Sequence, residues 1–161
     1  MTQPDNPAQR AGDDAAAPPV TTEAPQPVLP APPTTPARTL ARFVLAGAMV
    51  FAGLSHLFWA RETFRVQVPK WVPMDEDGVV MASGGVEIML GAGLALLRRD
   101  RVLVGRLLAA FFVAVFPGNI AQYVNKRDGF GLDTDTKRFV RLLFQPVLIA
   151  WALWSTGIPR R

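Results

Sequence analysis

The chain has 161 residues, half of them hydrophobic, with a formal net charge of +4, one histidine and no cysteine. Without cysteine it holds no disulfide, iron–sulfur cluster or thiol relay, and a single histidine excludes bis-histidine haem ligation within one chain. The positive charge does not point to nucleic acid, because the arginines fall in short clusters between apolar runs rather than along one aromatic-studded surface.

Met1 to Ala37 carry ten of the fifteen prolines, with alanine, threonine and scattered acids and no aromatic residue. Such a segment cannot bury enough apolar surface to offset the entropy of ordering, so a disordered tail is predicted over residues 1–37. It has no basic start followed by an early apolar stretch, and so does not read as a cleavable secretory signal.

The character changes after Thr39, and a membrane domain is predicted over 38–158. FVLAGAMVFAGLSHLFW, Phe43 to Trp59, contains no formal charge and marks a first span over about 39–60. VVMASGGVEIMLGAGLALL marks a second over 79–97, with one acid, Glu87, near its middle; it stops at Arg98, Arg99, Asp100 and Arg101. A third is expected over 102–123, where Arg106 is close enough to the start to snorkel, and a fourth over 138–156. Trp59, Trp71, Tyr123, Trp151 and Trp154 fall at or near span ends, where amphipathic rings prefer the interface. Backbone groups in lipid must be satisfied within the chain, and the connections are short. The expected fold class is therefore all-α, an integral membrane four-helix up-down bundle.

Orientation follows from basic residues close to the spans. With both termini inside, nine lysines and arginines are cytoplasmic and eight are outside, nearly a tie. The dense Arg98 to Arg101 turn decides it, since the outer loops dilute their charge with acids; both termini are expected to be cytoplasmic.

Glu87 shares a helix face with Gly84, Gly91 and Ala95, small residues that permit close helix approach. A carboxylate inside a span costs about 2.5 to 3.5 kcal/mol on insertion scales, so Glu87 must be neutralised or paired. Helical rise places His56, Asn119, Gln122, Arg141 and Gln145 in the same half of the bilayer as Glu87. The six residues form the candidate binding layer, with Glu87 as its floor and His56 and Arg141 at its rim. Pro117 and Pro146 each remove a helical donor beside a polar residue and can bend the helix to open a cavity. No metal site is expected, because Asp133 and Asp135 lack the glycine and distal glutamate of a calcium loop.

Five strings in order, GLSHLF (Gly53 to Phe58), VPKWVP (Val68 to Pro73), SGGVEIMLGAGL (Ser83 to Leu94), FPGNIAQY (Phe116 to Tyr123) and RLLFQPVLIAW (Arg141 to Trp151), resemble the DoxX-like family of small bacterial membrane proteins. The resemblance covers about residues 38–157 and implies a four-helix protein of the bacterial plasma (inner) membrane. It also implies association with redox chemistry, since founding relatives are membrane subunits of a thiosulfate:quinone oxidoreductase. Two functional readings stay open. In one, the chain is a quinone-linked redox subunit: the polar layer takes a quinone head, Glu87 or His56 exchanges protons, and a partner redox protein supplies electrons, because no cofactor motif lies within the chain. In the other, it is a noncatalytic membrane scaffold or lipid-handling protein, its polar layer holding the bundle or a homo-oligomer together while tail or loops recruit a partner.

Overall fold

The computed structural model describes residues 33–65, 67–129 and 131–158. Five helices follow in order: α1 (Pro36–Phe58), α2 (Arg61–Arg65), α3 (Glu76–Leu96), α4 (Arg101–Val124) and α5 (Asp135–Thr156). Four of them are long and apolar enough to cross a membrane, and no strand occurs among the described residues. The tail expected over 1–37 lies outside the described residues except for its last positions, and there it is corrected: Pro36 and Ala37 already belong to α1. The Thr35 side chain accepts from the Arg38 amide at 3.3 Å, and Pro36 supplies a pre-set φ where no donor is needed.

The second and fourth spans also start earlier than hydropathy indicates, at Glu76 instead of 79 and at Asp135 instead of 138. Asp75 and Thr134 cap them by accepting from the amides of Gly78 and Lys137 at 3.1 and 3.3 Å. Acidic residues in both first turns suit the positive end of the helix dipole. Hydropathy sees only the hydrocarbon-facing part of a helix, whereas the caps set where it begins.

In the bundle α1 packs chiefly on α3 and α4 on α5; lighter seams between α1 and α5 and between α3 and α4 close the ring. Lipid offers no hydrophobic gain between helices, so close backbone approach must supply the attraction. A methyl group on Gly53 would lie 2.5 Å from the Gly84 carbonyl oxygen, and one on Gly91 would lie 2.8 Å from that of Ala46. Gly53 stands seven residues after Ala46 and Gly91 seven after Gly84, on matching faces of antiparallel helices. The pair α4–α5 closes similarly where Gly105 receives Thr156.

The interior is apolar around Leu45, Met49, Leu94, Leu108, Phe112 and Ala152, yet the outside is more so: Phe51, Leu103, Val113 and Val147 are all more than half exposed. A water-soluble bundle would turn a polar face outward; this one turns out phenylalanine and leucine, as a bilayer requires. At the end holding the Arg98 to Asp100 turn, buried Arg42 donates to the Leu94 carbonyl at 2.7 Å, completing the last turn of α3. Trp151 donates to the Ala41 carbonyl at 3.1 Å and ties α5 to α1.

Candidate functional site

Glu87 and His56 meet. His56 Nδ1 lies 2.7 Å from Glu87 Oε2, between α3 and α1, with side chains only 6% and 13% exposed. The meeting follows from the glycine face, because Gly84 lets the His56 Cβ approach to where its own side chain would begin. The imidazole is not left at the rim, as residue counting suggests. α1 ends two residues later and the chain turns into α2, which lays Phe64 over the imidazole with ring centroids 3.4 Å apart. Neither paired atom has an aligned hydrogen-bond partner among the described residues. The contact is thus one of proximity between an acid and a base in an apolar surround, suited to holding and exchanging a proton.

A second polar group joins α4 to α5. Arg141 Nε donates to Asn119 Oδ1 at 3.2 Å, Asn119 Nδ2 donates to Gln145 Oε1 at 2.9 Å, and Gln145 Nε2 donates to the Phe112 carbonyl. That carbonyl sits beside Val113, whose usual donor is missing because the residue four further on is Pro117. All donors point one way along this chain, so each side chain's rotamer is set by the next. A lateral cleft of about 340 Å³ is lined by Asn119, Arg141, Gln145, Lys137, Phe144 and their apolar neighbours. Lys137 is held at its outer rim by Asp133 at 2.6 Å and by the Gly131 carbonyl. The hydrogen bond from Lys137 keeps the Asp133 carboxyl below the ordinary carboxylate range.

The expected single layer is therefore divided: Glu87 with His56 in one helix pair, Asn119 with Arg141 and Gln145 in the other. Gln122, 1% exposed, belongs to neither and accepts from Gln67 Nε2 at 3.3 Å. Residue counting gives depth along a helix but not which neighbour a face meets, which is why one layer was expected where two centres stand. Phe64, Gln67 and Lys137 escape sequence reasoning because they lie outside or at the margin of the apolar runs. Only the nearness of Gln67 to the VPKWVP string hints at a role. No cluster of histidine and acidic residues suited to a metal occurs among the described residues.

These features define a multi-pass membrane protein with a four-helix bundle, a buried imidazole–carboxylate pair and a lipid-facing polar cleft. The chain belongs to the family described as Domain of unknown function (DUF8561), which matches residues 45–156 and so takes in all six candidate residues. No curated protein and no solved structure matches it.

Proposed function

We propose that the chain is a quinone-linked, redox-associated membrane subunit of the DoxX-like kind, set in a bacterial plasma membrane with both termini cytoplasmic. The observation that carries the reading is the lateral cleft, whose floor is the Arg141–Asn119–Gln145 chain and whose walls are apolar. A quinone head has carbonyl acceptors on a flat apolar ring, so cationic and carboxamide side chains beside Phe144 and Leu148 fit it. When bound, such a head supplies two-electron, two-proton chemistry. The chain's residues would bind and orient it: Arg141 at a ring carbonyl, Asn119 and Gln145 fixing the guanidinium, and Val140, Phe144 and Leu148 guiding the tail into lipid. The His56–Glu87 pair would hold a proton elsewhere in the bundle, and a partner redox protein would deliver the electrons.

Purification in mild detergent followed by mass spectrometry of the extract tests this. One quinone per chain is expected, and Arg141→Gln should lower quinone affinity about 10- to 100-fold, the effect of losing a charge-assisted hydrogen bond. An extract of phospholipid only, with a stable co-purifying protein, would support the scaffold or lipid-handling reading instead.

The orientation has its own check, made clean by the lack of native cysteine. Asp100→Cys should resist an impermeant maleimide in intact cells while Lys70→Cys reacts; the reverse pattern would invert the topology.

A further inference from the structure

We infer that the His56–Glu87 pair is a proton port open to one end of the bundle only, the end carrying α2, and that Phe64 is the gate across it. The port builds on the pair as a holder of a proton and not on what occupies the α4–α5 cleft, so a protein that extracts without quinone leaves it standing. His56 lies level with Gly84, where a methyl group would meet its Cβ at 2.8 Å, and Glu87 lies nearly a turn deeper along α3. Toward the Arg98 to Asp100 turn the seam is shut. A methyl group on Gly91 would meet the Ala46 carbonyl and the Val50 side chain at 2.8 and 2.9 Å, and Leu45, Met49 and Leu94 are buried. Apart from the pair itself, no titratable side chain stands in α1 after Arg42 or in α3 after Asp77. A proton on Glu87 therefore has no carrier toward that end, whereas His56 stands between it and the water at the start of α3.

The imidazole suits such a relay. Its Nδ1 faces Glu87 Oε2 at 2.7 Å, which leaves Nε2 for exchange with solvent. A neutral ring with its hydrogen on Nδ1 can take a proton at Nε2 from a hydronium ion and pass the Nδ1 hydrogen to Glu87. Water is left outside, the ring ends neutral as the other tautomer, and the carboxylate becomes a carboxyl. What covers the ring is α2, whose Phe64 lies against it with centroids 3.4 Å apart. Yet α2 buries none of its residues, and a single carboxylate latches it to α3: Arg61 and Arg65 reach Asp77 at 3.4 and 2.6 Å, with all three side chains between 28% and 43% exposed. Arg61 also donates to the Leu57 carbonyl at 2.9 Å, where the chain leaves α1, and beyond α2 Gln67 donates to Gln122 of α4 at 3.3 Å. The segment is thus pinned at both ends, and its middle rests on ion pairs that solvent weakens, so α2 lifts at small cost.

The chain's one histidine makes the gate measurable. The full chain in phosphatidylcholine nanodiscs is treated with diethyl pyrocarbonate, and carbethoxylation of His56 is timed by mass spectrometry, with circular dichroism checking that each variant keeps the helical content of the wild type. The wild type is expected to react slowly. Phe64→Ala should speed the reaction about 10- to 100-fold, the effect of losing one packed ring, and Phe64→Trp should restore the wild-type rate. Asp77→Asn leaves Phe64 and the pair in place and weakens only the latch; it should speed the reaction about fivefold. Ile88→Ala opens a hole in the same α1–α3 seam, where Ile88 packs on Gly53, with the latch intact, and should react at the wild-type rate. A wild-type rate in either Phe64→Ala or Asp77→Asn overturns the proposal. So does an Ile88→Ala rate as high as that of Asp77→Asn, which would mean that the imidazole is reached through the seam and not past α2.

Discussion

Gly53→Ala is expected to destabilise the bundle at the upper end of about 1 to 3 kcal/mol, whereas Gly47→Ala on the same helix is expected to be neutral or stabilising by up to about 1 kcal/mol. Both changes add one methyl group and raise helix propensity equally. They differ in what the methyl meets: at Gly47 nothing lies within 4 Å, but at Gly53 the Gly84 carbonyl oxygen is 2.5 Å away and the Ile88 side chain 2.7 Å. A side chain can rotate aside; a backbone carbonyl cannot, so α1 and α3 must separate. Separation weakens every dispersion contact along the seam and the Cα–H···O contacts that glycine backbones make across it. Reversible unfolding in mixed dodecyl sulfate and maltoside micelles, followed by circular dichroism, reads the difference. Equal midpoints for the two variants would mean that the glycine seam does not hold the pair.

Glu87→Ala is expected to cost about 1 to 3 kcal/mol, the range for leaving a buried polar partner unsatisfied. The larger figure of about 3 to 5 kcal/mol applies where a fixed charge is stranded. Glu87→Lys strands one, because it sets a cation against His56 where the side chains are only 6% and 13% exposed; the loss there should reach the larger range. His56→Ala also uncovers Phe64, whose ring lies tilted against the imidazole. The decisive quantity is therefore the double-mutant cycle of His56→Ala with Glu87→Ala, expected to give a coupling of about 1 to 3 kcal/mol in the same micelles. Additive losses would show that the two residues do not act as a pair.

Much of the architecture was legible before any coordinates. A run with no formal charge from Phe43 to Trp59 leaves a helix no polar face for water, and three further predominantly apolar runs joined to it by short connections leave an antiparallel bundle as the outcome. Glu87 was legible too, because Gly84 and Gly91 on its face required a close neighbour. What sequence spacing lacks is azimuth between helices. It placed Asn119 and Gln145 at compatible depths, and they do bond, but it set His56 and Glu87 beside them when those two belong to the other helix pair. The short α2 went unread because RETFR has no apolar periodicity; Arg61 and Arg65 fasten it through Asp77 at 3.4 and 2.6 Å, a tertiary cause that no local pattern carries.

The division of the bundle into α1 with α3 and α4 with α5 has a consequence for how the protein is made. A ribosome releases the chain from the N-terminus, so the first hairpin is complete once Leu96 has emerged, before α4 exists. At that moment Glu87 already has His56 beside it, and Arg42 already has the Leu94 carbonyl. The one acid in the middle of a span is thus partnered within its own hairpin during insertion, and the translocation machinery need not shelter it until synthesis ends. The second hairpin then arrives with Asn119 and Gln145 joined to each other, so that the last assembly step brings together two units in which these buried polar side chains already lie against one another.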